Sequence, residues 1–228
     1  MMKSFLKGVR QSILIMLDYI PIAIAYASLA RTFGLNLLET ISMSLFVYTG
    51  AGQMSAAGML AKGIGMIAIV MTVFIMNLRH IIMSTVVMED LRHVPWWKRC
   101  ILAFGVTDEV FAVYTMEDEK NKGSGMIFFG IMLGAWLSWN LGTLIGYGLS
   151  GYLSASLMAS FGMALYAMFI ALLMPALCKL KKLWIPVGVS ALIGMLISSF
   201  VSSNAGLIIG SLAGAFVGTF VLSEEDLS

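Results

Sequence analysis

Residues 74 to 80 read Phe74-Ile75-Met76-Asn77-Leu78-Arg79-His80, inside an apolar run that extends from Gly63 to Val87. As a helix, about 20 such residues cross the roughly 30 Å hydrocarbon core of a bilayer. An arginine near the centre of a spanning helix costs roughly 2.5 to 3.5 kcal/mol on insertion scales, so a residue of this kind is by default a site. Asn77, Arg79 and His80 are therefore candidate site residues. The next apolar run carries opposite charge in Thr107-Asp108-Glu109. Opposite charges at membrane depth in neighbouring helices point to a transport or ion pathway.

The rest of the chain agrees with a membrane reading. Its 228 residues are 60% hydrophobic and 11% charged, with mean hydropathy +0.94. That balance excludes a water-soluble globule and predicts an all-α polytopic membrane protein, a single transmembrane domain over residues 1–228. Apolar runs fall at about 11–30, 37–60, 63–88, 99–116, 125–149, 155–178, 184–203 and 205–222. They predict eight spanning helices, or seven if the last two form a short hairpin or one kinked helix across Ser203-Asn204. Lys3, Lys7 and Arg10 before the first run imitate a secretory signal, but Asp18 and Pro21 interrupt its apolar core, so 11–30 reads as a retained first helix.

With a cytoplasmic N-terminus, Lys3, Lys7, Arg10, Lys62, Lys120, Lys122, Lys179, Lys181 and Lys182 fall inside, against Arg31, Arg92, Lys98 and Arg99 outside. The cation bias favours that orientation. It places the loop at 89–98 outside and the loop at 117–123 inside. Cys100 and Cys178 then lie on opposite sides and do not pair. Trp96-Trp97 beside Lys98 and Arg99, and Trp184 after Lys181 and Lys182, read as interfacial anchors, and the 19 methionines as adaptable packing. The acidic tail at 223–226 reads as a solvated end.

Unusual residues recur at one depth. Asp18 and Pro21 lie within the first helix, and Tyr48-Thr49-Gly50-Ala51-Gly52-Gln53 lies within the second. Asn77 to His80 follow in the third, and Asp108-Glu109 in the fourth. Proline removes a backbone donor and paired glycines permit unwinding, so helices 1 and 2 are candidates for interruption near the midplane, where freed amides favour an anion and freed carbonyls a cation. Asp18, Pro21, Gly50, Gly52, Gln53, Asn77, Arg79, His80, Asp108 and Glu109 together outline a substrate or proton pathway. A structural reading also fits, with Arg79 neutralising one acid and the glycines marking a close helix crossing. The shared depth and the excess of acids over the one arginine favour the pathway, with a carboxylate lacking a counter-charge as proton carrier.

An inverted 3+3 repeat is suggested by Val73–Leu78 against Met168–Leu173, and by Gly50-Ala51-Gly52 against Gly146-Tyr147-Gly148. Gly206, Gly210, Gly214 and Gly218 form a stripe that lets another helix approach, from within the chain or from a separate subunit, and this face is a candidate subunit-packing surface. Gly130/Gly134 and Gly142/Gly146 offer the same in the fifth helix. Phosphate-loop, HExxH, GxSxG and Cys/His metal patterns do not occur, nor does a basic stripe for nucleic acid. The chain therefore reads as neither an enzyme nor a cofactor, metal or nucleic-acid binder.

Phe33-Gly34, Tyr48 to Gln53, Asn77-Leu78-Arg79-His80 followed by Met83, and Thr107-Asp108-Glu109-Val110-Phe111-Ala112 together resemble the AzlC family, the large subunit of branched-chain amino acid exporters (LIV-E type). The resemblance implies a bacterial inner-membrane exporter of valine, leucine, isoleucine or methionine that works with a small AzlD-type subunit. Proton coupling is expected from the residues, since no ATP site is visible. Arg79 or the amides at Gly50 to Gln53 would take the substrate carboxylate, and Asp108 or Glu109 the ammonium. A channel, or a carrier of another small solute, is the competing reading, with an intramembrane hydrolase behind it.

Overall fold

The computed structural model describes residues 2–117, 121–152, 177–200 and 203–222, with positions 154, 156, 160, 163, 170, 173 and 174 between them. Among the described residues every regular element is helical. In chain order these are α1 (Met2–Gln11), α2 (Ile13–Thr32), α3 (Leu37–Ser42) running into a π-helical turn at Met43–Val47, α4 (Gly50–Ala61), α5 (Met66–Met76) and α6 (Leu78–Asp90). After them come α7 (Trp96–Phe104), α8 (Asp108–Thr115), α9 (Gly125–Leu149), α10 (Trp184–Phe200) and α11 (Ser203–Val221). The chain separates into two compact units, Met1–Met168 and Phe169–Ser228.

The first unit is framed by α2 and α9, which run parallel. Glycine lets them touch. Moving along α9 beside α1 and then α2, Gly130 meets Gly8 of α1, Gly134 meets Ser12 at the junction, Gly142 meets Ala23 and Gly146 meets Ile24. A methyl group on Gly142 would lie 2.8 Å from the Ile20 carbonyl oxygen, too close for any side chain. The glycines at 130, 134, 142 and 146 therefore serve a crossing inside the chain. Gly142→Leu is expected to cost about 3 kcal/mol or more by overpacking against backbone that cannot yield. A lower melting temperature in detergent checks it; an unchanged one would mean that the two helices are not held this closely.

Between these two helices lie two helix–break–helix hairpins that enter from opposite ends. The first, residues 37–61, starts and finishes beside the C-terminal end of α2. Tyr26 donates to the Thr40 carbonyl at 3.1 Å, and Ala57, on the returning arm, shares an apolar cluster with Tyr26, Ala30 and Leu35. Its first arm opens with a capping box, Asn36 and Glu39 satisfying each other's backbone amides. Its turn, at Tyr48-Thr49, lies in the interior beside Tyr19 and Trp139. The second hairpin, residues 96–115, starts and finishes at the N-terminal end of the unit. There a methyl on Gly123 would lie 3.1 Å from the Asp90 carbonyl oxygen, and one on Gly125 3.2 Å from Val94. Lys7 of α1 and Glu117 form an ion pair at the same end, joined by Gln11 and Asn121. The span α5–α6 joins the two hairpins, running back toward the N-terminal end with a 43° bend at Asn77.

This corrects the expected topology. Residues 37–60 and 99–116 do not run through the unit but turn back within it, so residues 13–149 hold three candidate spans, with α5–α6 taken as one, where five were expected. Among the described residues Ile13–Thr32, Gly125–Leu149 and Lys181–Phe200 can cross a membrane by length and composition, and α5–α6 makes a fourth when taken as one. Residues 89–98 and the described residues of the loop at 117–123, expected on opposite sides, lie at one end. Lys62 joins Arg31 at the other.

Within the second unit α10 and α11 pack antiparallel, so the last two runs are not one kinked helix. Gly210 meets Ser190 and Gly194, and Gly214 meets Pro186. Methyl groups there would lie 2.7 Å from the Ser190 carbonyl oxygen and 2.8 Å from that of Pro186. Gly206 faces Gly194 and Ser198, while Gly218 keeps ordinary contact with Pro186. The stripe expected to receive a subunit is thus the seam of the chain's own hairpin, because a helix partner two residues away in sequence reaches the glycines first. The expected helix at 155–178, most of the Met168–Leu173 repeat segment and the acidic tail lie largely outside the described residues. Gly146 to Gly148 lie inside continuous α9, unlike Gly50 to Gly52, which follow a break. Cys100 and Cys178 are both exposed and unpaired.

Candidate functional site

Three interruptions of the helical ladder meet in the interior of the first unit. The first is Tyr48, held at φ 45°, ψ 51°, the left-handed region in which a bulky residue is an outlier. Strain of this kind, about 1–3 kcal/mol, persists only where surrounding contacts fix it, and it gathers at functional sites. Thr49 follows in extended backbone and α4 begins at Gly50, whose first-turn amides have no intrahelical acceptor. The second interruption is Asn77. The third is Gly105-Val106-Thr107, where Thr107 caps α8 by accepting from the Val110 amide.

Side chains tie these breaks together. Thr49 Oγ1 donates to Asn77 Oδ1 at 2.8 Å, fixing the first hairpin's turn to the bend of α5–α6. Tyr19 of α2 is hydrogen-bonded to Thr107 Oγ1 at 2.8 Å and to the buried Glu109 carboxylate. Tyr19 also stands edge-on to Trp139 and Tyr48, with ring centroids 5.3 and 6.4 Å away, and Tyr48 meets Phe104 at 5.9 Å. Gln53 is fully buried. Its carbonyl accepts from the Thr49 amide and from Trp139 Nε1, both at 3.1 Å, and its amide donates to Ser44 at 3.0 Å, so it braces the turn from behind. Gly50 and Gly52 carry no side chain because none fits: a methyl would lie 3.0 Å from the Trp139 ring at one and 2.7 Å from Thr49 Cγ2 at the other.

Arg79 and Asp108 form the charged part of the site, with Nη2 and Oδ2 3.0 Å apart. His80 Nε2 lies 4.0 Å from the same oxygen. The two acids therefore divide: Asp108 takes the cation and Glu109 is enclosed by hydroxyls. Asp108 keeps about a fifth of its side-chain exposure, and Glu109 is buried.

Two expectations fail here. Asp18 is exposed on the face of α2 that carries Leu14 and Leu17, turned away from the cluster its neighbour Tyr19 enters, since successive residues on a helix point about 100° apart. Pro21 does not interrupt its helix, because α2 continues to Thr32 with α9 packed along it. Tyr19, Thr49, Thr107 and Trp139 were not singled out. The Thr107-Asp108-Glu109 signature of a helix start was available for Thr107; a tryptophan in an apolar helix gives no such signal. Among the described residues no three His, Cys, Asp or Glu gather as for a metal ion.

A family model described as AzlC protein matches residues 14–153. The "Inner membrane protein YgaZ" of Escherichia coli K12 is 32% identical over 213 residues, covering 90% of this chain and 87% of that protein. An "Uncharacterized membrane protein" of Archaeoglobus fulgidus is 34% identical over 176 residues, 76% of each chain. One of Helicobacter pylori 26695 is 27% identical over 146 residues, 64% of each. No solved structure matches.

Proposed function

Because the chain belongs to the AzlC family, we propose that it is a secondary transporter of the bacterial inner membrane that exports valine, leucine, isoleucine and methionine in exchange for protons, together with a small AzlD-type subunit. The observation that supports this best is the Arg79–Asp108 pair where two hairpin turns and a bent span meet. An amino acid carries a carboxylate and an ammonium, and this pair offers each its counter-charge. The first turn of α4 adds unpaired amides on the carboxylate's side of that match. The side chain then needs only an apolar wall, such as Tyr48, Phe104 and Trp139 provide.

Glu109 is assigned the proton. Among the described residues no ion pair to it is formed, and its partner, the Tyr19 hydroxyl, which also bonds Thr107, can bond either form of a carboxyl. Orientation follows from the ends: Lys3, Lys7, Arg10, Arg92, Lys98, Arg99 and Lys122 gather at the N-terminal end, against Arg31 and Lys62 at the other. That bias supports a cytoplasmic N-terminus more strongly than a five-span reading of the same residues. In this reading the chain acts as a carrier and not as an enzyme.

Counterflow of labelled leucine in proteoliposomes, with and without a co-purified small subunit, tests the proposal. Saturable counterflow is expected; unsaturable flux would make the protein a channel, and silence with all four amino acids would remove the substrate class. Glu109→Gln is expected to keep counterflow and lose its acceleration by a pH gradient. If the gradient still drives the variant, the proton travels elsewhere.

A further inference from the structure

The two hairpin turns are seated by one contact made twice. Thr49 of the first turn bonds Asn77 of the bent span, and Thr107 of the second turn bonds Tyr19 of α2. Asn77 stands 58 residues after Tyr19, and Thr107 stands 58 residues after Thr49. The same spacing separates the end of α2 at Thr32 from the end of α6 at Asp90, and the start of α4 at Gly50 from the start of α8 at Asp108. Phe46 and Phe104, three residues before each threonine, keep it as well. One unit, a span followed by a hairpin, is therefore present twice. The second copy runs the other way, since α5–α6 returns to the end from which α2 sets out. Each copy's span holds the other copy's hairpin turn.

We propose that these reciprocal contacts are the two latches of an alternating gate, Thr49–Asn77 closing the interior toward the end opposite the N-terminus and Thr107–Tyr19 closing it toward the N-terminal end. The proposal rests on the transporter reading. Both contacts are made in this structure. A hairpin that turns back is anchored at one end of the unit only, and a hydroxyl contact at its turn is weak enough to release without unfolding the spans. The copies differ where chemistry is needed: Gly50-Ala51 stand where Asp108-Glu109 stand in the other turn. The charge lies on one gate. Tyr19 divides its hydroxyl between Thr107 and Glu109, so a change at Glu109 acts directly on the second latch and not on the first.

The test reads sidedness, not transport. In a chain with Cys100→Ser and Cys178→Ser, Val106→Cys places a reporter thiol at the buried second turn. An impermeant maleimide is applied to either face of oriented vesicles. Thr49→Val and Asn77→Ala are each expected to raise labelling about fivefold from the face opposite the N-terminus, and Thr107→Val and Tyr19→Phe by as much from the N-terminal face. Thr→Ser at 49 or 107 keeps the hydroxyl and is expected to label as the parent does. Equal labelling from both faces, unchanged labelling, or serine variants that behave like valine would overturn the proposal. Leucine counterflow is measured separately in the same vesicles. Its absence removes the proposed substrate and leaves the sidedness result standing, whereas lost sidedness with counterflow intact removes the latches alone.

Discussion

Arg79→Ala is expected to lower leucine counterflow about 100-fold or more, the scale on which loss of a positioning contact acts. The alanine chain loses the Nη2–Oδ2 contact of 3.0 Å and leaves Asp108 facing a largely apolar interior. Fully buried pairs lose about 3–5 kcal/mol when one partner is removed, but Asp108 keeps a fifth of its exposure and Arg79 nearly half, so a folding cost nearer 1–3 kcal/mol applies. The variant should therefore reach the membrane at reduced yield and remain measurable. Arg79→Lys should regain only a small fraction of activity, because an ammonium lacks the planar fork that can hold Asp108 and a substrate carboxylate together. Asp108→Asn added to Arg79→Ala should recover yield without transport. Parental rates in Arg79→Ala would reduce the pair to structural neutralisation.

The residues of that pair were legible in the sequence because charge in an apolar run is costly wherever the run folds. Asn77, Arg79, His80, Asp108, Glu109, Gly50, Gly52 and Gln53 all lie at or beside the breaks. Which acid meets Arg79 was not legible. Asp108 and Glu109 are adjacent, and the choice depends on Thr107 capping α8 so that one carboxylate turns to α6 and the other to Tyr19. Asp18 misled for the complementary reason: depth along a helix is set by sequence, but the face is set by what packs on it, and α9 takes the side of Tyr19 and Ala23.

The interruptions were half legible. Glycines marked the turn at 48–50, yet Pro21, the stronger breaker by propensity, lies in an unbroken helix supported by its neighbour. The bend at Asn77 needs no glycine, since Thr49 from a distant segment holds it. Segments 37–60 and 99–116 are each as apolar and nearly as long as a span, and hydropathy does not distinguish crossing from turning back. What distinguishes them is a helix start in mid-segment: Thr49 before Gly50, and Thr107 before Asp108 with its acidic first turn. The 58-residue spacing between the two span-and-hairpin segments was not legible because they share positions of breaks and contacts but little chemistry: Tyr19 stands against Asn77, Pro21 against Arg79 and Gly50 against Asp108.

Sandwich fusions of a reporter active only outside the cell are expected to stay dark in both the 89–98 loop and the 117–123 loop, and to light up in the turn at 62–65. The first two positions share an end because residues 96–115 enter and leave by the same side, as the neighbourhood of Gly123 with Asp90 and His93 requires. A continuous span over 99–116 would place Arg92, Lys98 and Arg99 outside. The hairpin places them beside Lys3, Lys7, Arg10 and Lys122, the arrangement that loop cations favour. The effect is all or none, and it separates two claims. Opposite signals from the two loops would mean that 99–116 crosses the membrane and that the second hairpin does not exist. Matching bright signals would keep the hairpin and invert the whole protein in the bilayer. Insertion is preferable to truncation here, because a hairpin seated through Thr107–Tyr19 and Arg79–Asp108 needs α9 behind it to hold its place.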